Sequence, residues 1–158
     1  MLEWMILPFK RYADFSGRSR RMEYWSFVLL NAIVAIVLVG IMFAGGFPMM
    51  AAMSDPAMSD PSAVMAEGPG TLFWVGLGLL IIFWLAIIIP YLAVIVRRLH
   101  DRDMSGWWYL GVIVASFIPF VGFVASIAFL VLMLLPGTPG PNRFGPDPKD
   151  PAGAEVFA

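Results

Sequence analysis

The chain reads as an all-α membrane protein with three transmembrane helices and a short interfacial N-terminal segment. Three observations predict this class. Hydrophobic residues fill 60% of the 158 positions and charged residues only 13%, against about 45–50% and 25% in soluble domains. The mean hydropathy is +0.83, and a small soluble fold has too much surface for its volume to hide so much apolar material from water. The apolar residues also fall into three long runs, separated by charged or Pro/Gly-rich segments. A chain of this length favours one unit, so residues 1–158 are taken as a single membrane domain.

The N-terminal segment, Met1 to Tyr24, mixes Trp4, Ile6, Leu7, Phe9, Tyr12 and Phe15 with Lys10, Arg11, Arg18, Arg20 and Arg21. Aromatic rings beside basic heads suit the lipid–water interface. Pro8 limits any helix here to a short piece, and Ser19 is placed to cap the helix that follows. A secretory signal is not expected, because the first long apolar run begins about two dozen residues in and is long enough to span.

The predicted spans are 25–43, 71–96 and 107–135. The first holds about 19 residues without a charge, close to the roughly 20 that a bilayer core requires; Asn31 is its one strongly polar residue. Residues 44–70 read as an extramembrane loop of Gly, Ala, Met, Pro, Ser and Asp containing a repeated Met-Ser-Asp-Pro, because serial Asp-Pro pairs break helices. Pro90 should kink the second span, and helix should continue past it through His100. The third run is interrupted by Pro119 and Gly122. A single kinked helix is the simpler reading. A re-entrant pair is the alternative, since each leg alone is too short to cross. Gly111 and Ala115 have small-xxx-small spacing there, a weak packing signal. Residues 136–158 form a Pro/Gly-rich tail outside regular structure.

Charge distribution sets the expected orientation. Basic residues cluster in the N-terminal segment and at Arg97, Arg98 and Arg102, whereas the 44–70 loop carries only Asp55, Asp60 and Glu67. The positive-inside rule then puts the N-terminus and the 97–106 link in the cytoplasm. Three crossings would place the tail outside.

Several chemistries are excluded by inventory. There is no Cys and one His, which removes disulfides, thiolate metal sites and His-rich metal centres. No phosphate-binding glycine loop is present, and the basic clusters lack a nucleic-acid-binding fold. His100 lies beside Asp101 and Asp103, but neighbours on a helix do not face one another, and Ser105 has no evident base. No catalytic residue and no cofactor are therefore expected. Arg18, Arg20, Arg21, Arg97, Arg98 and Arg102 are candidates to contact anionic lipid or a partner, although an orientation signal accounts for most of that charge. Met49, Met50, Met53, Met58 and Met65 could serve as soft Cu(I) ligands, but a low-complexity loop explains them as well.

Three clusters occur in order along the chain: Phe15-Ser16-Gly17-Arg18-Ser19-Arg20-Arg21-Met22-Glu23-Tyr24-Trp25, Arg97-Arg98-Leu99-His100-Asp101 with Ser105-Gly106-Trp107-Trp108, and Gly137-Thr138-Pro139-Gly140-Pro141-Asn142-Arg143-Phe144-Gly145-Pro146-Asp147-Pro148. Together they resemble the bacterial domain-of-unknown-function family 805, the YhaH/YhaI-like inner-membrane proteins. The family-like positions are Gly17, Glu23, Tyr24, Trp25, His100, Asp101, Gly106, Trp107, Trp108, Asn142, Arg143, Phe144 and Gly145. The resemblance implies a multi-pass inner-membrane protein and no activity. It also exposes a tension, because three charged motifs would most naturally share one face, yet a single third crossing separates the last from the other two.

The functional expectation is a non-enzymatic membrane interaction or accessory protein, in contact with lipid and with a homo-oligomeric or other membrane-protein partner. The alternative is transport or copper handling by an oligomeric helix bundle. The three spans hold no ionisable residue, which argues against an ion path within one protomer. An enzyme acting at the membrane interface is third.

Overall fold

The computed structural model describes residues 2–53 and 68–149, the side chains of 47–53 excepted. Among the described residues it is all-helical, apart from one isolated bridge between Asn142 and Gly145. In chain order the helices are α1 (Leu2–Lys10), α2 (Arg21–Met53), α3 (Thr71–His100), α4 (Trp107–Ser116) and α5 (Val121–Leu134).

α1 carries Glu3 in its first turn and Lys10 in its last, the signs that suit a helix dipole. It buries Met5 and Pro8 while leaving Leu2 and Ile6 exposed. α2 starts at Arg21. Ser19 does not cap it as expected. Its hydroxyl donates to the Arg20 carbonyl at 3.4 Å, and its backbone N–H donates to the Arg97 carbonyl at 3.1 Å.

Two helices are long and apolar enough to cross a membrane, over Arg21–Gly46 and Thr71–His100. α3 continues through Arg97 and Arg98 to His100, as expected. α2, by contrast, does not end where the 44–70 loop was expected to begin; it runs on to Met53. The glycines at 45 and 46 do not stop it. A β-carbon on Gly45 would lie 2.0 Å from the Phe73 backbone nitrogen, and one on Gly76 would lie 2.7 Å from the Met42 nitrogen. These glycines serve close helix approach rather than a turn.

The chain divides into two compact units, Met1–Leu29 with Ile88–Ala158, and Leu30–Ile87. The second unit holds α2 from Leu30 onward and α3 up to Ile87. It presents Ile36, Val37, Trp74, Ile82, Trp84 and Leu85 on its surface, an apolar exterior suited to lipid rather than water. The first unit holds a small core of Tyr24, Phe27, Val94, Ile95, Leu99 and Met133. Phe27 meets Phe9 edge to face at a centroid distance of 5.2 Å, which seats α1 on this core.

The expected single third helix is replaced by two. α4 ends at Ser116 and α5 begins at Val121, and the two pack against each other. Tyr109 and Phe129 meet across the pair at 5.3 Å. At the turn Phe120 takes φ +67° and ψ −49°, the γ-turn geometry in which the Val121 N–H returns to the Pro119 carbonyl at 2.8 Å and which a helix cannot contain. A β-carbon on Gly122 would fall 2.7 Å from the Ser116 α-carbon, so glycine here lets the second leg pass close to the first. The run turns back on itself instead of continuing as one kinked helix. The tail consequently does not lie opposite the other motifs; it returns to them.

Candidate functional site

The three motif segments converge in the first unit as a polar cap centred on Asp101. Its side chain is 5% exposed and receives two guanidinium groups. Arg18 binds Oδ1 at 3.0 Å, and Arg98, one helical turn back, binds Oδ2. Arg18 also donates through Nη1 to the Gly140 carbonyl and through Nη2 to the Thr138 carbonyl, each at 2.6 Å. The Asp101 backbone carbonyl accepts from the Thr138 N–H at 2.8 Å and from its hydroxyl at 3.2 Å. One residue thus joins the first, second and third motifs.

A second buried pair sits nearby. Arg97 Nη2 donates to Glu23 Oε1 at 2.8 Å, with side chains 0% and 3% exposed. Arg97 Nη1 donates to the carbonyls of Asp14 and Arg11. Three buried guanidinium groups therefore face two buried carboxylates, and backbone carbonyls accept from most of the remaining donors, the Nε groups of Arg97 and Arg98 being left without a partner. Burying charge is tolerated with pairing of this extent.

Some of those carbonyls close the end of α5. Arg98 Nη2 donates to Met133 and Leu135, Arg21 to Leu134 at 3.2 Å, Trp25 Nε1 to Met133 at 3.3 Å, and Arg102 to Pro136. The last carbonyls of a helix lack intrahelical partners and carry its negative dipole end. Guanidinium groups answer both needs.

The tail is fixed by Asn142. Its Nδ2 donates to the His100 carbonyl at 2.9 Å and to Thr138 Oγ1 at 3.1 Å, while its Oδ1 accepts the Phe144 N–H at 2.9 Å. Phe144 stacks flat on His100 at 3.8 Å, and His100 Nδ1 lies 3.2 Å from the Gly17 carbonyl. Gly17 has φ +75° and Gly145 φ +141°, conformations that favour glycine at these turns. Asp147 accepts the backbone N–H groups of Lys149 and Gly140, which hold its carboxyl below the usual carboxylate range. A β-carbon on Gly137 would lie 2.0 Å from Asp101 Oδ2, so only glycine fits against the central carboxylate.

The sequence-selected residues separate by burial. Arg18, Arg97 and Arg98 are buried, and Glu23, Tyr24 and Asp101 are buried with them. Arg20, Arg21 and Arg102 retain exposure; Arg20 also lies 5.7 Å over the Trp4 ring. Trp107 and Trp108 are exposed, and Gly106 packs against Val96. Arg143 forms an exposed pair with Asp103 at 3.1 Å and lies over Phe144. Ser105 Oγ accepts the Trp107 N–H at 3.4 Å. At the rim, Asp14 is held down to about 2 by hydrogen bonds from Ser16 and then Arg11. The roles of Thr138, Gly140 and the α5 carbonyls were not evident from sequence, because backbone acceptors leave no residue-type signal; only the order of the three motifs pointed toward their meeting.

Among the described residues no group of three or more His, Asp or Glu could hold a metal ion. Met49, Met50 and Met53 fall in the last turns of α2, their side chains outside the description; Met58 and Met65 lie outside the described residues altogether.

Comparison with known proteins places this cap in context. The chain is 37% identical to the inner membrane protein YhaH of Escherichia coli K12 over 94% of its own length and 98% of that protein. It is 35% identical to the inner membrane protein YhaI of the same organism, over 94% and 97%. It is 32% identical to the uncharacterized protein YiiR, over 87% of each chain. No solved structure matches. The family model described as a protein of unknown function, DUF805, matches residues 12–146, which contain all three segments of the cap, and the chain therefore belongs to this family of inner-membrane proteins without a known activity.

Proposed function

We propose that the protein is a non-enzymatic membrane accessory protein. Its polar cap lies on the cytoplasmic face, and its accessible basic rim contacts anionic lipid headgroups. The carrying observation is the division of the arginines. Arg18, Arg97 and Arg98 are enclosed by carboxylates and carbonyls, whereas Lys10 and Arg21 are exposed and Arg20 is half-exposed on Trp4. These accessible cations belong to the segment that also exposes Leu2, Ile6 and Phe9. Basic heads beside exposed apolar groups suit an anionic membrane surface. The polar groups that could suggest catalysis, His100 and Ser105, contact backbone groups of the cap, which supports a binding role. The basic bias of the cap segments supports a cytoplasmic face.

The division makes the earlier six-arginine site narrower and testable. Arg20→Gln with Arg21→Gln should weaken retention of phosphatidylglycerol or cardiolipin in native mass spectra, by about 1 kcal/mol per residue, or roughly fivefold each. Arg18→Gln should instead lower thermal stability and leave headgroup retention by the folded fraction intact. Unchanged retention in the Arg20/Arg21 variant would remove the lipid reading.

A further inference from the structure

We infer that α4 and α5 form a re-entrant hairpin whose tip ends near the middle of the hydrocarbon core, where acyl chains cover it. The inference rests on the membrane setting of the chain and not on the headgroup contacts of the basic rim.

Both ends of the hairpin are held at the polar cap. α4 begins directly after the turn in which Met104 N–H returns to the Leu99 carbonyl, and Gly106 packs on Val96. α5 ends with its carbonyls bound by Arg98, Arg21 and Trp25. A segment that leaves and re-enters the same polar surface has its tip at a depth set by its legs. α4 has 10 residues and α5 has 14, so the legs reach about 15 and 21 Å at 1.5 Å per residue. A hydrocarbon core is about 30 Å thick. The legs therefore reach past the middle of the core and stop short of the far surface.

The tip is built for that depth. Phe117 and Phe120 are each 81% exposed, with Ile118 and Phe123 also exposed. Such a cluster is unfavourable in water and favourable among acyl chains. Irregular backbone in hydrocarbon is costly unless its polar groups are paired, and here the turn pairs four of its N–H groups internally. Phe117 N–H donates to Val114, Ile118 to Ala115, Val121 to Pro119 and Gly122 to Ile118, at 2.8–3.2 Å. Pro119 has no N–H to satisfy. The hydroxyls of the hairpin are likewise turned back on its own helices, Ser116 to the Ile113 carbonyl at 2.6 Å and Ser126 to the Gly122 carbonyl at 2.8 Å.

The chain has no cysteine, so single cysteines can be read in the full-length protein in cells and in proteoliposomes. Ser105→Cys and Lys149→Cys should respond identically to an impermeant maleimide, both protected or both labelled. Phe117→Cys, Ile118→Cys and Phe120→Cys should resist labelling from either side until the protein is denatured. A fluorophore at these three sites should be quenched severalfold more by lipids spin-labelled near the acyl terminus than by headgroup-labelled lipids. Phe120 sits at positive φ in the turn, so Phe117→Cys and Ile118→Cys carry the test if Phe120→Cys does not fold. Opposite labelling of positions 105 and 149 would overturn the hairpin in favour of a single crossing. Labelling of the tip from the face opposite position 105 would show a full double crossing. Tip-to-tip disulfide dimers without deep quenching would show a second copy, not lipid, over the tip. Each of these results rejects the inference, and none bears on headgroup retention by Arg20 and Arg21.

Discussion

α3 and the stretch from Trp107 to Leu134 are both long and apolar, and each has one proline in its interior. α3 passes through Pro90 and continues as helix to His100. The other stretch breaks at Ser116 and resumes at Val121, with Pro119 in the gap. A proline within a helix removes one hydrogen bond and crowds the preceding turn, at a cost of about 3 kcal/mol, and membrane helices often absorb that cost. The difference therefore lies in what surrounds the proline. Pro90 is followed by Ala93, Val94 and Ile95, all buried in helix. Pro119 is followed by Phe120 at positive φ in a γ-turn and by Gly122, which admits the returning leg. Beyond the turn, the end of α5 is bound to arginines far away in sequence. A fixed end and one permissive glycine accompany the turn at Pro119, whereas the helix stays continuous through Pro90.

The strongest way to break this comparison is to release the fixed end. Asp101→Ala leaves Arg18 and Arg98 buried without their carboxylate. Loss of one partner of a buried pair costs about 3–5 kcal/mol, so the variant should lose a large part of its thermal stability in mild detergent. Labelling at positions 105 and 149 should lose its correlation in whatever fraction still inserts. A thermal midpoint close to that of the parent would mean that the cap does not hold the hairpin.

A smaller effect is expected at the crossing of the legs. Gly122→Val places side-chain atoms against the Ser116 backbone, and overpacking of this kind costs about 1–3 kcal/mol. Gly111→Ala is the matched control, since nothing lies within 4 Å of its added β-carbon, and its effect should stay within about 0.5 kcal/mol. Equal effects from the two variants in a detergent melting series would contradict the close approach of α4 and α5.

The smallest effect belongs to the rim. The carboxyl of Asp14 is lowered from its ordinary 3.8 to about 2. Its contribution to stability is therefore present above pH 3.8 and is lost as pH falls through about 2. Its side chain is 38% exposed and pairs with the half-exposed Arg11, so screening keeps the contribution below about 1 kcal/mol. Asp14→Asn should melt slightly below the parent at pH 6, with the gap closing as pH approaches 2. A gap comparable to that of Asp101→Ala would show that rim and interior charges act as one unit.

Much of the apolar plan was legible in the sequence, because long uncharged runs have few alternatives to helix. The two long helices and the extension of α3 through Arg97, Arg98 and His100 followed from length and patterning. The hairpin did not, because Ile118-Pro119-Phe120-Val121-Gly122 is compatible with either a kink or a turn; the decision rests on contacts with residues 18–25 and 97–102. The end of α2 was missed for the converse reason. Gly45 and Gly46 look like helix breakers until Phe73 is seen against them. Within the cap, the motif residues were identifiable but their exposure was not. Arg18 and Arg20 are two positions apart and identical in type, yet one is buried between Asp101 and the tail and the other lies on Trp4. Only the fold distinguishes them.

The partners of Arg18 also impose a schedule. Asp101 follows it by 83 residues, Thr138 by 120 and Gly140 by 122. At about 5–20 residues per second of synthesis, the guanidinium group waits roughly 6–24 s between its own emergence and that of its last acceptor. Asp101 emerges partway through that interval, so Arg18 has its carboxylate before its two carbonyl acceptors. A chain released before residue 138 would carry the ion pair but lack the carbonyls that take both Nη groups of this arginine.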